Sequence, residues 1–292
     1  MSEYIKGVLL TAVGVLILSF DGLLIRLIAA DSFDLLFWRG LLMSVAIAFI
    51  LRLQKSTSSW LPTDPAALRS SFFMVVCTIT FVMAINLSSV ANVLVIISSQ
   101  PLFAALFGWI FLREMPQPVT WLAIVLSMIG VGWVLVGSWS EPNFMGDVLA
   151  LICCLALAAK FVNDRAVSHT DMTPALISSG IALALISFFA GSPMALTGND
   201  WWYMIILCLV VSPLAFSLIT IGPMRIPAAE VGMLMLLETA VGPLWVWLFL
   251  NEEPGSAAMQ GGSIVIGTLL LHSLYQWRHH RLKTTRDLQT SP

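Results

Sequence analysis

The stretch ANVLVIISSQPLFAALFGWIFLREMP, residues 91–116, returns at constant spacing as AEVGMLMLLETAVGPLWVWLFLNEEP, residues 229–254. Ala91, Val93, Trp109, Phe111, Leu112, Glu114 and Pro116 recur as Ala229, Val231, Trp247, Phe249, Leu250, Glu252 and Pro254. Two Leu-rich helices share several letters by chance. A common Phe-Leu-x-Glu-x-Pro ending is harder to reach that way. The echo continues outward: Gly7 matches Gly146, Arg26 matches Arg165, and Ile129-Gly130 matches Ile266-Gly267 after a one-residue slip. The chain therefore reads as one unit used twice.

Both copies are apolar along their whole length. Hydrophobic residues make up 59% of the 292 and charged residues 10%, and the mean hydropathy is +0.93. Soluble domains carry roughly 25% charged residues. A soluble fold of this size could not hide so much apolar surface, so lipid must be the solvent for much of it. The apolar runs are continuous rather than alternating, which argues against a β-barrel. Their approximate limits are 5–29, 35–53, 71–87, 91–112, 119–136, 146–167, 174–191, 201–221, 227–250 and 256–277, separated by turn sequences such as Met115-Pro116-Gln117-Pro118 and Glu252-Glu253-Pro254-Gly255. The first run is too long for a signal peptide and is interrupted by Asp21 and Arg26.

The fold class that follows is an all-α membrane protein of ten transmembrane helices. Residues 1–137 form a first repeat, residues 146–277 a second, and residues 278–292 a basic cytoplasmic tail. With the amino terminus in the cytoplasm, Lys6, Arg52, Lys55, Arg69, Arg113, Arg165, Arg225 and the tail cations Arg278, Arg281, Lys283 and Arg286 all fall inside. The opposite loops, residues 30–34, 88–90, 138–145, 192–200 and 251–255, hold no Lys or Arg and carry Asp31, Asp34, Glu141, Asp200, Glu252 and Glu253. Both termini are then cytoplasmic. Each half has an odd number of spans, so the second sits upside down in the membrane, the inverted-repeat arrangement of many secondary transporters.

These residues resemble the EamA family of the drug/metabolite transporter superfamily. One EamA-like signature runs from Val90-Ala91-Asn92 through Ser99-Gln100-Pro101-Leu102-Phe103 to Phe111-Leu112-Arg113-Glu114. The other runs from Pro227-Ala228-Ala229-Glu230 through Leu237-Glu238-Thr239 to Phe249-Leu250-Asn251-Glu252. Phe37-Trp38-Arg39-Gly40 fits as well. The resemblance covers nearly the whole chain and implies a ten-helix transporter with a central cavity, often an exporter of amino acids or related metabolites. The Arg113/Asn251 difference between the copies has no evident mechanistic meaning at this level.

An ionisable group inside a membrane helix costs at least about 2.5–3.5 kcal/mol at the centre and needs a partner, a wet cavity or an interface. Glu238 lies near the middle of the ninth segment, roughly 15 Å from either end at a 1.5 Å rise per residue. Gln100 is its repeat counterpart. A cavity-facing Glu238 would bind a proton or a substrate amine; the alternative is a protonated structural acid bonded to a neighbouring helix. Gln100, Trp38, Asn86 and Ser99 are further candidates for the substrate site, Trp38 by stacking on an organic cation. Asp21, Arg26 and Arg39 fall in the outer half, and Lys160, Asp164 and Glu230 in the inner half. Such clusters could gate a central site: Asp21 would pair with Arg39 or Arg26, and Lys160 with Glu230 or Asp164. Alternatively, Arg26, Arg39, Asp164 and Glu230 snorkel to an interface.

Pro101, Pro213 and Pro243 fall inside helices and can kink them. Gly130, Gly132, Gly137, Gly261, Gly262 and Gly267 read as close packing surfaces, which could also support a homodimer. Trp109, Trp247, Trp201 and Trp202 suit the interfacial aromatic belts.

No phosphate-binding Gly-rich loop is present, the four cysteines (Cys77, Cys153, Cys154, Cys208) lack metal or disulfide spacing, and no Ser-His-Asp set is readable. Neither a cofactor nor a metal is expected, and the formal charge of −2 argues against nucleic acid. The function that follows is a secondary transporter of small amino-acid-like or other metabolites in the cell inner membrane, drawing on protons and working by alternating access, and the resemblance implies export. A membrane enzyme or lipid-handling protein, or a passive channel, is the alternative.

Overall fold

A computed structural model of the chain describes residues 3–53, 64–113, 115, 118–137, 143–167, 172–192, 196, 198–221 and 228–289. Every regular element among them is helical: α1 (Glu3–Leu18), α2 (Asp21–Leu27), α3 (Ser32–Leu53), α4 (Pro65–Leu87), α5 (Val90–Ser98), α6 (Gln100–Leu112), α7 (Pro118–Gly137), α8 (Phe144–Ala166), α9 (Thr173–Ala190), α10 (Asp200–Ile205), a π-helical stretch (Ile206–Val211), α11 (Ser212–Ile221), α12 (Ala228–Leu250) and α13 (Ser256–Gln289). Seven stretches of the described residues are long and apolar enough to cross a membrane, and Pro174–Ala190 and Leu237–Leu250 are shorter apolar helices. The protein is a multi-pass membrane protein. Its outer surface shows why lipid must be the solvent: Phe49, Phe111, Leu122, Phe189, Leu248 and Leu271 are each more than half exposed.

Local chemistry sets the helix limits. Asp64 caps α4, its Oδ1 accepting from Ala66 N at 2.9 Å with Pro65 in the first turn. Ser89 caps α5 by accepting from Asn92 N at 3.1 Å. The two copies of Phe-Leu-x-Glu-x-Pro end alike in backbone geometry. Arg113 and Asn251, at equivalent repeat positions, are the two non-glycine residues with positive φ among the described residues, at 57° and 54°. Both make the left-handed turn that stops a helix, and Asn251 N donates back to Trp247 O at 3.0 Å. The sequence difference at this pair thus has a conformational content: Asn tolerates that turn and Arg does so with strain.

Three apolar segments that the sequence reads as continuous are interrupted. The first breaks at Ser19-Phe20 into α1 and α2. The fourth breaks at Ser99, with Pro101 in the first turn of α6. The eighth carries the π-helical stretch just before Ser212-Pro213. Pro213 lacks an N–H, and the ladder widens ahead of it. Pro243, by contrast, lies inside an uninterrupted α12. At the carboxyl end, α13 runs to Gln289, so the backbone of the basic tail largely continues the last helix.

Packing is mostly between the halves. α4 lies on α8, α3 on α9, α7 on α13, α1 on α11, and α5 on both α8 and α12. Exchanging the first-half helices for their second-half counterparts turns the α4–α8 pairing into the α1–α11 one and leaves α3–α9, α7–α13 and α5–α12 unchanged. Glycines allow the closest approaches. A Cβ on Gly40 would lie 2.5 Å from Gly180 O, one on Gly130 2.9 Å from Gly261 O, and one on Gly14 2.9 Å from Leu218 Cβ. Gly132 and Gly267, read from the sequence as packing residues, face open space instead.

Candidate functional site

The break between α1 and α2 places Asp21 at the start of a short helix in the core. Its carboxylate is fully engaged. Oδ2 takes Arg39 Nη2 of α3 at 3.1 Å, and Oδ1 accepts from Ser212 Oγ at 3.2 Å, the first residue after the π-helical stretch. The two side chains of the ion pair are 5% and 2% exposed, so this charge pair is removed from water. Glu238 of α12 stands close enough to Asp21 to interact with it electrostatically. Next to these groups, Trp245 stacks on Phe20 with centroids 4.6 Å apart and donates its Nε1 to Ser19 Oγ at 3.0 Å. Gly242 lets α12 come this close, since a Cβ there would meet Leu94 Cδ1 at 2.5 Å.

A second polar constellation closes one end of the bundle. The turn between α4 and α5 is held from three sides. Arg26 Nη2 donates to Ser88 O at 2.7 Å and pairs with Glu252 at 3.4 Å. Glu252 Oε1 accepts from Val90 N at 3.2 Å. Asp147, fully buried in the first turn of α8, accepts from Ser88 Oγ and from Asn92 Nδ2, the latter at 3.0 Å. Around them Asn86 Nδ2 donates to Ser32 Oγ at 3.0 Å, Asp34 accepts from Ser192 N at 2.5 Å, and Asp200 accepts from Ala29 N at 3.1 Å. Described residues of the loops 30–34, 88–90, 192–200 and 251–255 converge here, and this acidic end ties helices of both halves together.

Burial falls away from that end along one span. In α5, residues 90–96 are buried on all faces; in α6, residues 103–107 are half-buried on all faces.

The sequence matches the profile of the EamA-like transporter family twice, over residues 5–136 and 144–274. The chain belongs to the EamA-like transporter family. The two matched segments coincide with the two halves whose helices pair across the core. A solved protein crystal structure aligns with TM-score 0.71 and 16% identity, over 92% of this chain and 98% of its own, a likeness of fold alone. No curated protein matches the sequence.

In this EamA-like fold the candidate residues divide into groups. Asp21 and Arg39 come together, and Glu238 lies within electrostatic range of Asp21. Arg26 pairs with Glu252 and leaves Asp21 to Arg39. Lys160 pairs with Asp164 at 2.5 Å one turn along the same helix, so this pair links nothing across the halves. Near that pair the links across the halves include Asn163, which accepts from Arg69 Nε at 3.1 Å and donates to Ala66 O at 2.9 Å, and Ser71 Oγ, which donates to Ala175 O at 3.1 Å. Gln100 and Ser99 are buried at the α5–α6 break, where Ser99 Oγ donates to Ile96 O at 2.6 Å. Trp38 packs edge-on to Trp201 at 4.7 Å, whereas Asn86 belongs to the acidic end. The side chains of Glu230, Arg165 and the basic tail, with residues Lys55, Glu114, Glu141 and Arg225, lie outside the described residues.

Sequence reading gave no site role to Asp147, Ser88, Glu252, Ser212 or Trp245. Asp147 has the signature of a surface acid in a helix's first turn. Glu252 stands in a turn rich in acids. Only their partners reveal them, although the repeated Glu114/Glu252 was a signal that this acid has a place to fill.

Proposed function

We propose that this EamA-family protein is a secondary active transporter that exports small amino-acid-like or other metabolites by alternating access, with proton coupling at Glu238. Its ten spans form two inverted five-helix repeats, its termini are cytoplasmic, and its membrane is the cell inner membrane. The observation that carries this reading is the buried Asp21–Arg39–Ser212 cluster with Glu238 beside it, set where α1 breaks into α2 and where the eighth segment turns π-helical. Ionisable groups are tolerated at such depth when they handle solutes or ions, and broken helices are where transporters place binding sites. The half-buried glycines Gly132 of α7 and Gly267 of α13, which have open space where a Cβ would stand, would support a homodimer.

The contacts support an assignment of the gates. The outer gate is the acidic end, clamped by Arg26–Glu252 and by Asp147 on Ser88 and Asn92. The decline in burial from α5 to α6 supports a cleft that opens toward the basic end, the inward-facing arrangement. The pair Lys160–Asp164 is one turn of a single helix, and its part in an inner gate would be to present charge to Glu230.

Counterflow in proteoliposomes tests the whole reading. A metabolite panel is offered to wild type and to Glu238→Gln, with and without a pH gradient. A coupled carrier exchanges a saturable solute, and the variant keeps exchange while losing the response to the gradient. Non-saturating flux without counterflow would identify a channel. Equal gradient responses in both proteins would remove Glu238 as the proton site.

A further inference from the structure

Asp21 and Arg39 are unequally satisfied. Both Asp21 oxygens have partners, whereas Arg39 spends one nitrogen on a single 3.1 Å contact. Its Nε and Nη1 are buried and have no hydrogen-bond partner. Unpartnered donors on a residue 4% exposed are rare, because each forfeits its hydration and gets nothing in return. Groups within electrostatic range of the guanidinium on other helices include the Cys208 and Cys77 thiols, which are weak acceptors. A guanidinium presents its donors in a rigid planar fork suited to two oxygens of one anion. If Arg39 served only to neutralise Asp21, one donor would be enough and a lysine would do as well.

We propose, on the transporter reading above, that Arg39 is the specificity-determining group that receives a carboxylate of the transported solute on its open donors. The charge inventory chooses the anion. Asp21 already neutralises Arg39, so a monoanionic carboxylate meets a pair of no net charge, whereas a phosphate dianion would bring twice the charge beside the Asp21 carboxylate. The solute's carboxylate would complete the bonds that the resting core leaves open. A neutral or purely cationic analogue would leave them open and be rejected. Asp21 then acts as the positioning residue that holds the fork, itself held by Ser212.

The experiment uses full-length protein in proteoliposomes and in detergent, with matched sets differing only in the acid: an amino acid, its amide, its decarboxylated amine, and the carboxylic acid without the amine. L-Leucine, leucinamide, isopentylamine and 4-methylpentanoate form one set, and equivalent aromatic and small polar sets are run beside it. Wild type is expected to exchange the carboxylates at least about tenfold better than the amide or amine of the same set. Arg39→Lys keeps the charge opposite Asp21 and the fold, so it is expected to raise KM for the carboxylate about tenfold or more with little change in kcat, and to lose the preference for acid over amide. An unchanged KM in Arg39→Lys, or equal exchange of acid and amide by wild type, would overturn the proposal while leaving the transporter standing. Thermal unfolding in detergent separates the two claims. Carboxylates that raise the Tm of wild type but not of Arg39→Lys, without any counterflow, would support the Arg39 site and remove the transport reading. Neither stabilisation nor exchange by any carboxylate in the sets would overturn both.

Discussion

Arg39 and Asp21 illustrate how a charge survives in a membrane helix. Neither reaches water, and their mutual attraction in a low-dielectric interior offsets part of a large desolvation cost. The prediction at this scale is an asymmetry between single and double variants. Asp21→Asn strands the Arg39 charge and should destabilise by about 3–5 kcal/mol. Asp21→Asn combined with Arg39→Gln should recover most of that, since no ion is left unpaired, and thermal unfolding in detergent reads both. Arg113 is a milder case. Its φ of 57° is unfavourable for a side chain with a Cβ, and Arg113→Gly should stabilise by about 0.5–1 kcal/mol in the same assay. Residue identity made the first of these sites visible, because an Asp in an apolar run needs an explanation. It left the second invisible, since a left-handed turn leaves no mark on an Arg.

The elements meet across the molecule through glycine. Where α3 crosses α9, a Cβ on Gly40 would collide with a backbone oxygen of Gly180 and with Ala184 N at 2.9 Å, and neither can swing away. Gly40→Val should therefore separate these helices and destabilise by about 1–3 kcal/mol, seen as a lower Tm and a smaller monodisperse fraction. Gly132→Ala is the control. It lies on the same kind of apolar helix with nothing within 4 Å of a new Cβ, so the gain in helix propensity should make it neutral or up to about 1 kcal/mol stabilising. The hydropathy pattern marks both glycines alike. Helix existence was legible because apolar runs of span length bounded by Pro, Gly and Asn carry it. The breaks at Ser19-Phe20 and Ser99 and the π-helical stretch were not, because the few polar residues beside them leave each run apolar enough to read as one span. Pro101 and Pro213 were the sole hints, and Pro243, equally intramembrane, breaks nothing.

For the molecule as a whole, on the proposed topology, the acidic end is the contact that must open if the central cluster is to reach the outside. Asp147→Asn weakens the hold on Ser88 and Asn92 without changing size. The expected outcome is faster labelling of a Ser89→Cys reporter by a membrane-impermeant thiol reagent added from outside, with the native cysteines, all buried, giving the baseline. Unchanged labelling would mean that Asp147 is a structural acid and that the clamp lies elsewhere. The two-copy organisation was readable in advance because repetition is a linear property, and the family match over residues 5–136 and 144–274 follows the same division. Membrane residence was readable too, since 59% hydrophobic residues with 10% charged leave no soluble alternative. The sequence alone therefore determined the solvent, the helical class and the doubling of the unit. The partner of each charge was decided only by the tertiary structure. Arg26 goes to Glu252 rather than Asp21, Lys160 stays within its own helix, and Asp147 sits beneath a turn far from it in the chain. Those pairings depend on how closely helices from opposite halves approach and at what register, which glycine contacts and helix breaks set in three dimensions and hydropathy does not encode.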